Sequence, residues 1–293
     1  MSAAGGVGRS TLSALLAYAL HEHTVDGWGR AVAICDTRPR GASPWPGWLD
    51  HHAQCGTGWL AGYADDARKF AREVRRSTSA VDAPDGRPIW VLTDSGPLSP
   101  AFSGAAPGPA FWAPVLPYVR AAVIDGDGLE GFRLARQHAG GESSTASDWI
   151  RLPSVRTAAL WVTDTSPAGM ARTLEAMTAA ESCGLPTEQV VVAVNDPHGH
   201  GWAARSRSRR TLLADRVGAI VEIGHDADLR RDGRPSITSG PATRRDITAL
   251  VNALITAAGR PEPGPAGVSE PALAPAERTS WHVVPAQPVP AGS

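Results

Sequence analysis

The chain has 293 residues, of which 42% are hydrophobic and 19% charged, and a formal net charge of −1. That length suits one large α/β domain, and the near-neutral balance excludes a global field drawing the protein to nucleic acid or membrane. Three widely spaced cysteines (Cys35, Cys55, Cys183) with neither a signal peptide nor an apolar run of about 18 residues predict reduced thiols in a soluble, cytoplasmic protein.

In chain order, the first feature is the glycine-rich turn Gly5-Gly6-Val7-Gly8, followed by Arg9-Ser10-Thr11. Next comes a run in which Leu12, Leu15, Leu16, Ala19 and Leu20 share one helical face. A turn of this kind aims backbone N–H groups and the positive end of a helix dipole at one spot, which suits a phosphate. Ser10 is then placed to offer its hydroxyl to a magnesium ion. Only Met1 and Ser2 precede the turn region, so the strand expected before such a loop is missing or encoded upstream of Met1.

Residues 30–35 read as a buried strand ended by Asp36, and residues 60–76 as a helix weakened by Gly62. Further strands are predicted at 88–93, 121–124, 158–162, 189–194 and 219–223, with helices at 111–118, 168–182, 204–214 and 245–258. Near-continuous apolar strands alternating with helices predict a mostly parallel sheet covered on both faces. From Gly259 the composition changes, with eight prolines between Pro261 and Pro290 and no periodicity. The organisation is therefore a domain over residues 1–258 and a disordered Pro/Ala-rich tail over 259–293.

Residues 4–11 resemble the deviant phosphate-binding loop (Walker A) of the MinD/ParA family of P-loop ATPases, Lys-Gly-Gly-x-Gly-Lys-[Thr/Ser]-[Thr/Ser]. The glycines and both hydroxyls match, whereas Ala4 and Arg9 stand at the two lysines. Of 28 Lys and Arg residues only Lys69 is a lysine, so a general drift to arginine accounts for Arg9 without restoring the lysine's geometry. The resemblance implies a degenerate member with a three-layer P-loop NTPase sandwich. It further implies ATP and magnesium as cofactors and a homodimer that sandwiches the nucleotide.

The resemblance also implies site residues. Gly5, Gly6, Val7, Gly8, Arg9, Ser10 and Thr11 would bind the phosphates, with Asn195 near the adenine. Ser10, Asp36 and Asp125 would surround the magnesium, with Asp127 a weaker substitute for Asp125. Asp36-Thr37-Arg38-Pro39-Arg40-Gly41 stands where the family has Asp-x-Asp-Pro-Gln-Gly, so Arg38 replaces the acid that positions the attacking water. An arginine cannot accept a proton, so no catalytic residue is assigned, and hydrolysis is expected to be weak or absent. Arg9, or Arg38 turned inward, would supply the missing positive charge. Residues 223–229 partly match the family's Ile-Pro-x-Asp-x-x-Leu segment, with Gly224 in place of the proline.

Each site residue has a plainer reading as well. Asp36, Asp125 and Asn195 all end apolar strands, where turn residues are common. His21, His23, His51, His52 and Cys55 are potential metal ligands without a known spacing, and the plainer reading is scattered surface histidines. Arg205–Arg210 is a basic helix start that would touch DNA phosphates or simply face solvent. The Trp45/Trp48 loop and the tail's Trp281 are docking candidates for a protein partner, although the loop tryptophans equally suit packing over the sheet edge. Two functions follow: an ATP-binding switch with little hydrolysis, or a dead ATPase serving as an interaction scaffold.

Overall fold

The computed structural model describes residues 7–23, 31–38, 41–63, 66–83, 85–95, 108–116, 119–126, 128–141, 143–152, 155–232 and 240–259. Gly5, Gly6, Asp127, any strand before the loop and the proline-rich tail beyond residue 259 lie outside them.

Strands β1 (Ala31–Asp36), β2 (Ser79–Asp82), β3 (Pro88–Leu92) and β4 (Val119–Asp125) form a sheet in the order β2-β3-β1-β4. Strands β5 (Ala159–Asp164), β6 (Val190–Asn195) and β7 (Ala219–Ile223) form a second sheet in that order. Every pairing is parallel except β2 with β3. Helices α1 (Arg9–His23) and α10 (Pro241–Ala258) contribute to the clusters on one face. Helices α3 (Ala67–Ser77), α4 (Pro109–Trp112), α5 (Glu130–His138), α6 (Thr145–Ile150) and α7 (Pro167–Ser182) contribute to those on the other.

The apolar strand runs have a direct cause in this layering. Along β6, Val190, Val192 and Val194 enter one cluster with Trp161 and Met177, while Val191 and Ala193 enter another with Leu12, Leu15 and Leu250. Along β1, Ala33 and Cys35 face Phe70 and Trp112, while Val32 and Ile34 face Ala14, Ala17 and Trp45. A strand buried on both sides has no polar positions to alternate. Val162 of β5 and, partly buried, Val123 of β4 belong to one cluster with Leu12 and Leu16 of α1, so the two sheets share a core.

Several elements depart from the sequence expectation. The helix expected over 60–76 is two, α2 (Thr57–Ala61) and α3, because the chain turns at Gly62 and restarts where Asp66 caps the Lys69 N–H. The helix expected over 111–118 is the single turn α4. Strand β2 and helices α5, α6 and α9 (Ala227–Asp232) are additional. Helix α8 (Ala204–Ala214) and strand β7 lie where expected.

Cys35, Cys55 and Cys183 are all free thiols. Burial and the neighbouring Asp36 push the Cys35 thiol up to about 12, so it stays protonated and inert. Among the described residues no helix is long and apolar enough to cross a membrane.

Candidate functional site: a buried guanidinium between two strand-end acids

Parallel strands bring their carboxyl ends to one edge, and β1 and β4 pair in a register that sets Asp36 directly beside Asp125. Helix α1 packs across these strands, which carries Ser10, in its first turn, to the same edge. Both carboxyl groups are buried, each residue 2% exposed. Two isolated buried carboxylates would be prohibitively costly, so the arrangement needs a cation.

Arg38 provides it. Its Nε donates to Asp36 Oδ1 at 3.0 Å, one terminal nitrogen to Ser10 Oγ at 2.7 Å, and the other to Asp125 Oδ2 at 2.6 Å. The guanidinium thus joins all three groups expected to surround magnesium, and Arg38 is itself only 7% exposed. Its fixed planar fork lets one side chain reach three acceptors, which a lysine ammonium on a flexible stem would not do with the same geometry.

Further neighbours join the cluster, Ser43 beside Asp36 among them. The Trp45 indole N–H donates to Asp125 Oδ2 at 2.7 Å, and the Thr93 hydroxyl donates to Asp36 Oδ2 at 2.7 Å. Burial pushes the Asp36 carboxyl above the usual carboxylate range; Arg38 opposes that rise and Asp125 adds to it. Taking the carboxylate out of water disfavours its charged form, and the second acid beside it adds to that cost.

Neither Trp45 nor Thr93 stood out in the sequence as a site residue. Thr93 was legible in principle, because it follows Leu92, which pairs with Cys35, and so must lie next to Asp36. Of the two readings of the Trp45/Trp48 loop, Trp45 fits packing: it is 1% exposed, sits edge-on against the half-buried Trp48 and is part of the core.

The loop and the base-side residues fall as follows. Gly8 has a φ of +84°, and a Cβ there would lie 2.8 Å from Asn195 Nδ2. Both the left-handed backbone and the close approach require glycine. The Asn195 amide donates to the Val7 carbonyl at 3.3 Å, tying the end of β6 to the loop. Asp226 caps α9 through the Asp228 and Leu229 N–H groups and accepts from the Thr243 hydroxyl at 2.6 Å. The Thr243 hydrogen bond is the main cause holding Asp226 below the usual carboxylate range.

The weaker candidates disperse. His21 pairs with Asp85 and His51 with Asp82, and among the described residues no three His, Cys, Asp or Glu side chains gather to hold a metal ion. Along the basic helix start, Arg207 and Arg209 donate to the Trp202 and Pro167 carbonyls. Arg210 pairs with Glu222 and lies over the Trp202 ring, so this row is largely committed to its own fold.

The architecture is the P-loop NTPase fold of the ParA/MinD type. A ParA family ATPase from Chlorobium tepidum TLS superposes with a TM-score of 0.57 at 13% identity, covering 86% of this chain and 96% of that one. MinD cell division protein of Aquifex aeolicus superposes with a TM-score of 0.51 at 17% identity, covering 90% of this chain and 96% of its own. The MinC:MinD cell division protein complex of Aquifex aeolicus gives 0.52, again at 17% identity and with the same coverages. No protein-family model and no curated protein sequence matches the chain.

Proposed function

We propose that the chain is a nucleotide-binding switch protein of the MinD/ParA kind, binding ATP and hydrolysing it slowly or not at all. The observation that carries this reading is the meeting of Ser10, Asp36 and Asp125 at the amino end of α1, with Asn195 tied to the glycine turn. Phosphate groups would sit on the N–H groups of Gly5 to Thr11, with Arg9 beside them. Main-chain donors carry most of such binding, so the loss of both family lysines weakens it without removing it.

Hydrolysis is another matter. The position of the water-orienting acid belongs to Arg38, whose guanidinium is bonded to Ser10 and both aspartates and cannot act as a base. Losing the transition-state cation costs on the order of a thousandfold in rate. Losing the acid costs roughly a hundredfold. Either alone brings a slow ATPase close to no turnover.

Titrating the full chain with ATP, adenosine and tripolyphosphate, and following tryptophan fluorescence, tests the reading. A saturable change with ATP, a weaker one with tripolyphosphate and none with adenosine is expected. No response to ATP would leave the scaffold reading, which would work through the tryptophan loop and the proline-rich tail.

A further inference from the structure

The three oxygen atoms that would ligate magnesium do not fit that ion as arranged. Magnesium demands a near-octahedral shell at about 2.0–2.1 Å and keeps several waters. Here guanidinium nitrogens stand 3.0, 2.7 and 2.6 Å from Asp36 Oδ1, Ser10 Oγ and Asp125 Oδ2. An ion bonded to those oxygens would overlap the guanidinium, so the two cations exclude each other. Asp125 Oδ2 is further committed to the Trp45 indole, and Asp36 Oδ1 to the Arg38 backbone N–H at 3.3 Å.

We propose that the Arg38 guanidinium stands in permanently for the divalent cation, so that the chain binds nucleotide polyphosphate without magnesium. The inference rests on the nucleotide-binding reading above and goes on to say which cation serves the site. A metal in this position has two tasks: it shields the incoming phosphates from the strand-end acids, and it links those acids to the hydroxyl of the loop. Arg38 performs both. It bridges Asp36, Asp125 and Ser10 in one rigid fork. Arg9, in the first turn of α1, adds a further cation next to the loop.

Permanence distinguishes this device from a metal. A guanidinium carried on β1's own following turn cannot dissociate, so the site is built once, at folding, and needs no ion from solution.

The test is calorimetric titration of the full chain with ATP, once in EDTA and once in millimolar magnesium. Wild-type affinity is expected to change by less than about threefold between the two. Arg38→Ala is expected to bind ATP at least about tenfold more tightly with magnesium than without it. Manganese alone, followed by its paramagnetic resonance signal, is expected to bind Arg38→Ala and not the wild type. Wild-type affinity rising about tenfold or more with magnesium would overturn the proposal, as would manganese binding to the wild type at this site. ATP binding that requires magnesium would refute only the stand-in, whereas no ATP binding in either buffer would refute the nucleotide reading and the stand-in with it. Should Arg38→Ala fail to fold, the pair of wild-type titrations still decides.

Discussion

Replacing Arg38 with alanine is expected to lower the unfolding free energy by about 3–5 kcal/mol at neutral pH, the usual penalty for stranding a buried charge. The reason is not that the ion pairs contribute so much in the intact protein, because desolvation offsets most of that attraction. Removing the guanidinium leaves Asp36 and Asp125, each 2% exposed, facing each other with no cation between them. The penalty should depend on pH in a direction opposite to that of ordinary acidic residues. Asp36 already holds its proton more tightly in the folded protein than in the unfolded chain, and losing Arg38 removes the influence that opposes this. A raised folded value means stability is fully present below the unfolded-chain value, about 4, and is lost as pH rises through the folded one. The deficit of Arg38→Ala relative to wild type should therefore shrink on acidification. Urea unfolding of both proteins across this range checks it; a deficit that is small at neutral pH, or that grows with acid, would show that the cluster is not charged as described.

Gly8→Val is expected to act on the loop more than on the fold. A β-branched residue at a φ of +84° is strained by about 1–2 kcal/mol, and its Cβ would press on the Asn195 amide at 2.8 Å. Either the turn flattens or Asn195 releases the Val7 carbonyl. Both outcomes misdirect the N–H groups that open α1. ATP affinity should fall at least about tenfold while thermal unfolding stays cooperative. Unchanged affinity would mean that nucleotide does not contact this turn.

Much of this was legible in the chain itself. The strand run at 189–194 was plain because burial on both faces leaves its Val190–Val194 stretch without a polar position, while that at 219–223 was legible from its apolar residues despite the exposed Glu222. The two acids stood out because each ends an apolar run, and in parallel sheets such ends share one edge. What the sequence concealed was contact between distant residues. Trp45 lies in a Pro/Gly-rich loop that carries no periodicity, yet it fills a place over β1 and reaches Asp125, 80 positions away. Helix α5 was hidden by its charged residues, since only a narrow stripe including Leu134 is buried. Arg38 was visible as a departure from the family pattern. Its destination among three groups followed only from the register of β1 with β4 and the seat of α1.

Amide and arginine side-chain NMR of the full chain, with ATP added in EDTA, probes the central claim most directly. Saturable shifts centred on the N–H groups of residues 5–11, on Asn195 and on the Arg38 guanidinium would bear out an anion seated between the loop and a resident guanidinium. An unchanged spectrum, or shifts confined to residues far from α1 and β1, would contradict it.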